Sequence, residues 1–286
     1  MAGKELVRLN NLSKTLFFPL YCRAIESKRK NPILKDEKAV EIVNILDKYF
    51  SKTNSDFYEM LLQQKLPKTY VKKINLLTKK FDEYAINFLL KKPNGIIVNM
   101  GCGLDTRFNR INKKVEFYDL DLPEVIELKK QFLEENNYYH FISSSLLDFR
   151  WIDSLSKNKN QTFMFLAQGI FSYLRENDVK SLIFELQKKF PGCEIVFDVV
   201  NSYYVKKLKR DKIKKRFQQR YNLGKDVSYN FGIKESNDLE NWGEGIAFVD
   251  EWYFYKDSSY KLKFHILDRI LESLNKPRWI VHYKLN

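Results

Sequence analysis

Gly95-Ile-Ile-Val-Asn-Met-Gly-Cys-Gly-Leu-Asp-Thr-Arg107 and, shortly after it, Val115-Glu-Phe-Tyr-Asp-Leu-Asp121 are the stretch around which the rest of this chain is organised. Ile96 to Met100 is a short apolar run of the kind that forms a buried strand, and Gly101, Cys102 and Gly103 end it sharply. Val115 to Tyr118 reads as the next strand, closing on two acids, Asp119 and Asp121. A chain that leaves a parallel strand for a helix must bend tightly, and glycine permits both the bend and a close approach of backbone to ligand. A carboxylate about 20 residues on, at the end of the neighbouring strand, can accept hydrogen bonds from both hydroxyls of a ribose. Asp119 and Asp121 both meet that condition.

The third glycine of a dinucleotide fingerprint would stand at position 106, where this chain has Thr106. That disfavours a pyrophosphate resting on the helix start, and favours a ribose ligand without phosphate, such as S-adenosylmethionine. The longer string sharpens the reading. Gly101-Cys-Gly-Leu-Asp-Thr-Arg107-Phe108, followed by Tyr118-Asp-Leu-Asp-Leu-Pro-Glu-Val125, closely resembles the leucine carboxyl methyltransferase family, which includes bacterial polyketide O-methyltransferases of the tetracenomycin type. The resemblance implies a Rossmann-like class I methyltransferase: a mostly parallel seven-stranded sheet, helices on both faces, and an N-terminal helical cap. It also implies S-adenosylmethionine as cofactor and Gly101, Cys102, Gly103 and Asp121 as residues that hold it.

Upstream of the glycine turn the chain reads as mostly helical. Asp36 and Glu37 open an amphipathic helix with Val40, Val43, Leu46 and Phe50 at helical spacing, and Val71 to Leu90 gives a second. Ser13-Lys-Thr-Leu16 and Arg23-Ala-Ile-Glu-Ser27 resemble the family's N-terminal signature, a helix over the cofactor whose lysine, here Lys14, pairs with the cofactor carboxylate. The family also places an arginine ahead of a Phe-Asp pair in the helix before the turn. Aligned on Phe81 and Asp82, this chain has Leu77 at that point, and Lys79 or Lys14 are the cations that stand in for it.

Downstream, strand-like and helix-like segments alternate, which predicts a parallel sheet covered on both faces. Pro123 starts a helix; His140 to Ser145, Phe163 to Ala167 and Glu194 to Val200 read as strands, with a helix from Glu176 to Phe190 before the last. By resemblance the adenine is gripped by a residue pair that aligns with Ser145 and Leu146, with Asp148 as a second candidate or as a helix cap before Trp151. Gln168-Gly-Ile-Phe-Ser-Tyr-Leu174 resembles the family's fourth motif, with glutamine in place of its glutamate, so Gln168 keeps a hydrogen-bonding shape suited to orienting the cofactor. A basic run from Tyr203 to Tyr221 suits a helix with a solvated face, and Gly224 to Gly245 reads as an irregular insertion near the substrate. Ile246 to Tyr255 and Arg278 to Leu285 return to strand character, with a helix around Phe264 to Leu274 between them. The expected organisation is one methyltransferase domain over residues 1–286. It comprises a helical cap region (1–90), a cofactor-binding core (91–200), a basic helix and insertion (201–245), and a sheet edge (246–286).

The totals bound the function. With 286 residues, 44% hydrophobic, the chain can fill a sizeable core, and no apolar run approaches the roughly 20 residues that span a bilayer. Three scattered cysteines and an N-terminus without an apolar signal core point to a reducing cytoplasm. The net charge of +14 invites a nucleic-acid partner, but abundant Lys, Asn, Ile, Phe and Tyr, all with A/T-rich codons, explain it more simply through genome composition. The histidines, His140, His265 and His282, stand without partners at ligand spacing, so no metal site is expected. The expected activity is transfer of a methyl group to a carboxylate or hydroxyl of a small molecule, or to a protein carboxyl group. A carboxylate acceptor is already ionised at neutral pH; a phenol, with a pKa near 10, needs help, and Tyr173, Tyr203 and Tyr204 lie near the proposed mouth without singling out a base. A cofactor-binding protein without catalysis, suggested by Leu77, Ser145 and Gln168, and a nucleic-acid methyltransferase are the alternatives.

Overall fold

The computed structural model describes residues 13–53, 55–111, 114–155, 161–208, 215, 228–254 and 276–286. Seven strands form one sheet in the order β3-β2-β1-β4-β5-β7-β6. They are β1 (Ile96–Met100), β2 (Phe117–Asp121), β3 (Tyr139–Ser143), β4 (Phe163–Ala167), β5 (Cys193–Val200), β6 (Ile246–Trp252) and β7 (Arg278–Leu285). β1 to β5 pair in parallel, while β7 lies antiparallel between β5 and β6. This is the mostly parallel sheet that the resemblance implies.

Alternation along the strands builds two cores. Ile96, Val98, Met100, Phe163, Phe165, Ile195 and Phe197 face one side, where α7 (Arg150–Leu155) and α8 (Glu176–Lys189) cover them with Trp151, Ile152, Leu182 and Leu186. Ile97, Phe117, Met164, Leu166, Val196 and Ile280 face the other, under Leu77, Phe81, Ala85 and Phe88 of α4 (Lys68–Lys91). Each such apolar side chain, fully buried, is stabilising by about 1.5–3 kcal/mol relative to exposure. Helices on both faces follow directly from strands that are apolar on both faces.

The N-terminal helices α1 (Phe17–Ser27), α2 (Glu37–Phe50) and α3 (Asp56–Leu62) form a third cluster, whose Phe17, Tyr21, Val43, Leu46 and Phe50 close over Leu104 and Leu128. Asp36 caps α2, its side chain accepting the Ala39 N–H at 2.9 Å. The cap is therefore fastened onto the glycine turn, of which Leu104 is part. Short helices α5 (Arg107–Ile111), α6 (Pro123–Lys129) and α9 (Ser202–Leu208) complete the described set with α3 and α7. The sequence pattern gave no clear period for α3, α5 and α7, which are only five to seven residues long.

Three expectations are corrected. β2 starts later than Val115, at Phe117, and includes both acids, with Asp119 inside the strand and Asp121 as its last residue. β3 ends at Ser143 and leaves Ser145 in the following turn. The segment 228–245 is less irregular than expected: Ile233 bridges to Asn201, Asp238–Trp242 forms a 3-10 turn, and Phe231 and Leu239 enter the sheet core. The basic run beyond Leu208, except Lys215, and the expected helix around Phe264 to Leu274 lie outside the described residues.

Candidate active site

The bend after β1 is made by two glycines in the left-handed region, Gly101 at φ 63° and Gly103 at φ 50°. A Cβ at Gly101 would stand 3.0 Å from the Ile170 side chain, and one at Gly103 would stand 3.2 Å from Leu16. The space beside this backbone exists because no side chain fills it. The bend is tied to β2 by the Gly101 and Cys102 N–H groups, which donate to the Leu120 carbonyl at 2.8 and 3.1 Å. Asp121 sits against it: one carboxylate oxygen accepts the Gly103 N–H at 2.7 Å and the other the Leu122 N–H at 2.8 Å. Each oxygen keeps acceptor capacity beyond those bonds. Burial pushes the Asp121 carboxyl above its ordinary value, against the pull of the two N–H groups and Lys129. Burial likewise raises the Cys102 thiol well above its ordinary value, so Cys102 forms an uncharged wall of the site.

Asp119, the other acid, is spoken for. It accepts from Asn99 Nδ2 at 2.8 Å, hydrogen-bonds the Tyr139 hydroxyl and pairs with Lys129 Nζ at 2.6 Å, itself 1% exposed. Lys129 in turn donates to the Gly103 and Asp105 carbonyls at 3.2 and 2.7 Å. Asp119 therefore braces the turn from behind while Asp121 faces the opening.

A buried charge network supports the same turn from the other side. Arg107 donates to Asp82 and Asn99 at 2.8 Å each and to Gln168 at 2.6 Å, and pairs with Asp105 at 3.0 Å. Arg110 joins Asp82, Asp105 and Asp36, and Arg23 of α1 joins Asp36 at 2.8 Å. Burial alone would raise the Asp36 carboxyl, but Arg110 and Arg23 hold it below the usual range. Cap, helix α4 and glycine turn are thus one electrostatic unit.

Above it lies a cleft of about 610 Å³ bordered by Gly101, Cys102, Gly103, Asp121 and Gln168. These five of the eight sequence-derived cofactor residues are brought together. Gln168 reaches the cleft with its amide fixed at both ends, the oxygen by Arg107 and the nitrogen by Thr78 at 2.9 Å. The Lys14 side chain is outside the described residues, though Thr15 and Leu16 beside it border the cleft. Leu77 borders the cleft, as does Lys73 one helical turn before it, whereas Lys79 is exposed and does not. Lys73 was recoverable from the sequence, since positions four apart share a helix face.

Ser145 and Leu146 are not brought to the cleft. Their turn is consumed locally: Ser145 accepts the Leu147 and Asp148 N–H groups, through its hydroxyl and its carbonyl, and Leu146 packs into the sheet core while its carbonyl accepts from the Trp151 indole at 3.3 Å. Asp148 pairs with Arg150 and accepts its N–H at the start of α7, and it does not border the cleft.

The lining contributed by segments distant in sequence was missed apart from Tyr173 and Tyr204. Tyr70, Tyr229, Lys207 and Arg278 border the cleft, from α4, the segment after residue 228, α9 and β7. Tyr203 points elsewhere, being 62% exposed. No local motif announces Arg278; antiparallel pairing opposite Val200 carries it to the edge where the parallel strands end. Among the described residues, no three His, Cys, Asp or Glu side chains gather to hold a metal ion, and no helix is long and apolar enough to cross a membrane.

The residues present fit S-adenosylmethionine: a backbone cradle that a Cβ would obstruct, and a carboxylate with spare acceptor capacity on the adjoining strand. The comparisons agree. Tetracenomycin polyketide synthesis O-methyltransferase TcmP of Streptomyces glaucescens is 26% identical over 250 residues, covering 87% of this chain and 85% of that protein. The S-adenosyl-L-methionine-dependent methyltransferase dpfgK of Gibberella zeae is 25% identical over 221 residues, covering 71% and 72%. A DUF574 family protein from Streptomyces avermitilis, of known crystal structure, shares the fold with a TM-score of 0.52 at 11% identity, over 74% of this chain and 84% of that one. The profile of the family described as leucine carboxyl methyltransferase matches residues 18–187. This chain belongs to the leucine carboxyl methyltransferase family and is an S-adenosylmethionine-dependent methyltransferase.

Proposed function

We propose that the acceptor atom is an oxygen, on a carboxylate or hydroxyl of a small aromatic molecule, and that residues 1–286 act as one methyltransferase domain. The observation that carries this reading is the continuity of the cleft, from the glycine turn and Asp121 to the rings of Tyr173, Tyr204 and Tyr229. The name of the Streptomyces glaucescens relative, a polyketide O-methyltransferase, supports the same class of acceptor. When bound, the cofactor supplies a methyl group activated by a sulfonium. In this reading Asp121 holds the ribose, Gly101, Cys102 and Gly103 admit the nucleoside, and Gln168 orients the amino-acid end. Lys14 and Lys73 are the cations for its carboxylate. The cap excludes water, and alignment of the acceptor oxygen accounts for much of the acceleration.

Calorimetric titration with S-adenosylhomocysteine, followed by a mass-spectrometric screen for methylated products, tests the proposal. The screen would include aromatic acids, phenols and peptides with free carboxyl ends. Methylation of an aromatic acid or phenol is the expected result. Transfer only to peptides, or only to nitrogen or sulfur acceptors, would overturn it.

A further inference from the structure

We propose that Lys129 is a positioning residue for the cofactor: its buried ammonium fixes the glycine turn by two carbonyls and places a positive charge behind Asp121. The inference rests on the cofactor reading of this turn, and it adds a residue that does not itself border the cleft.

Lys129 and Lys130 are neighbours at the end of α6 and turn opposite ways. Lys130 is exposed and pairs with Glu135 at 3.4 Å, as a surface lysine does, whereas the Lys129 side chain is 0% exposed. Burying an ammonium is costly unless it is both paired and hydrogen-bonded. Each of its three donors is accounted for, by the Asp119 carboxylate on β2 at 2.6 Å and by the Gly103 and Asp105 carbonyls at 3.2 and 2.7 Å. Gly103 is therefore held from both sides, its carbonyl by Lys129 and its N–H by Asp121 at 2.7 Å. Those two bonds fix the peptide planes on either side of its Cα, and with them the left-handed bend at φ 50° that leaves room for the nucleoside.

The charge acts on the residue assigned to the ribose. The groups facing the Asp121 carboxylate are the Gly103 and Leu122 N–H groups, the Cys102 thiol of the turn, Asp119 of its own strand and Lys129 of α6. Burial raises the Asp121 carboxyl; the two N–H groups and Lys129 oppose the rise, and Asp119 adds to it. Burial also works against the Lys129 charge, but Asp119 outweighs it and holds the ammonium above its ordinary pKa. An apolar side chain at position 129 would leave Asp121 with its two N–H groups alone against the like charge of Asp119.

The test titrates the full chain calorimetrically with S-adenosylhomocysteine from neutral to mildly acidic pH, with the fold of each variant followed by circular dichroism. Lys129→Met should weaken binding about 10-fold at neutral pH and move the acid loss of affinity to higher pH, because Asp121 then takes up its proton earlier. Lys129→Arg keeps the charge without the compact three-donor head, so it should return the acid loss to the wild-type pH while recovering only part of the neutral-pH affinity. Lys129→Met strands Asp119, and Lys129→Met/Asp119→Asn removes both charges of the pair, which keeps the test decisive where the single variant does not fold. The turn carbonyls still lack their donor in the double variant, so its binding should stay about 10-fold weak. Lys130→Met, the exposed neighbour, controls for net charge and should bind as the wild type does. Wild-type affinity in the folded double variant, an unmoved acid loss in folded Lys129→Met, or an equal weakening by Lys130→Met would overturn the inference. Failure of S-adenosylhomocysteine to bind the wild-type protein would instead sink the cofactor assignment on which it rests.

Discussion

The cleft lining at Gly101 and the lining at Arg278 hold their polar groups in opposite ways. Beside the glycine turn, the cavity is lined by backbone, by Asp121 and by polar side chains already engaged with one another, Gln168, Asp105 and Arg23 among them, and the guanidinium groups of Arg107 and Arg110 are spent behind them on Asp82, Asp105 and Asp36. At Arg278 the guanidinium itself borders the opening, and the single carboxylate of Asp198 stands behind it. The first arrangement fixes a shape and the second offers a charge. A nucleoside, recognised by close backbone approach and hydroxyl hydrogen bonds, needs the former.

The contrast can be broken first at Arg107. Its side chain is 0% exposed and joins four acidic or amide groups from α4, β1, the glycine turn and the residue after β4, so removing it leaves Asp82 and Asp105, both largely buried, with one cation fewer. Arg107→Ala should cost about 3–5 kcal/mol of folding stability, read from denaturant unfolding, as expected when one partner of a buried network is deleted. A loss no larger than that of a surface substitution, about 0.5 kcal/mol, would mean that the glycine end is not held by charge at all.

Asp121→Ala should move the other observable. Its partners in the protein are two backbone N–H groups beside the open cleft, which water can satisfy, so the melting temperature should change little. Affinity for S-adenosylhomocysteine should fall about 100-fold, the size of losing two hydrogen bonds to a charged acceptor. Unchanged affinity would detach the ribose from β2 and leave the glycine bend without its partner.

Acid should separate the two functions of carboxylates at this end. The Asp121 pKa is raised in the folded protein, so its carboxyl takes up a proton at a higher pH than an ordinary aspartate, and its capacity to accept from a ribose falls in the same range. The Asp36 pKa is depressed, so its stabilising contribution is present above the unfolded value, near 3.9, and is lost only as pH falls through the lower folded value. Titration at decreasing pH should therefore show cofactor affinity declining while the fold, followed by circular dichroism, persists. Asp121→Asn should flatten the decline; a decline that survives that substitution would assign it to another group.

The same contrast explains what could be read before the fold was known. Gly101, Gly103 and Asp121 are close along the chain, and the strand-turn-helix geometry that joins them is local, so spacing and turn chemistry expose them. β1, β4 and β7 were placed with their observed bounds because apolar runs flanked by turn residues set strand ends. Arg278, Tyr70 and Tyr229 meet only through the antiparallel insertion of β7 and the packing of α4 and the segment after residue 228, none of which leaves a motif. Asp119 and Asp121 looked equivalent because both suit the spacing; Asn99, Tyr139 and Lys129, which claim Asp119, come from separate elements.

The smallest expected effect is the most pointed. The resemblance assigns Ser145 to the adenine, yet β3 ends before it and its hydroxyl accepts the Leu147 N–H at 3.2 Å inside a turn off the cleft. If adenine recognition is confined to the cleft, Ser145→Ala should leave S-adenosylhomocysteine affinity within about 2-fold, the loss of a weak local turn contact being absorbed by solvent. A drop of about 10-fold, the size of a lost hydrogen bond to ligand, would mean that the nucleoside extends past the rim and orders the turn after β3 as it binds. The glycine turn would then border a wall completed only by its ligand, and the preset shape would hold for the ribose alone.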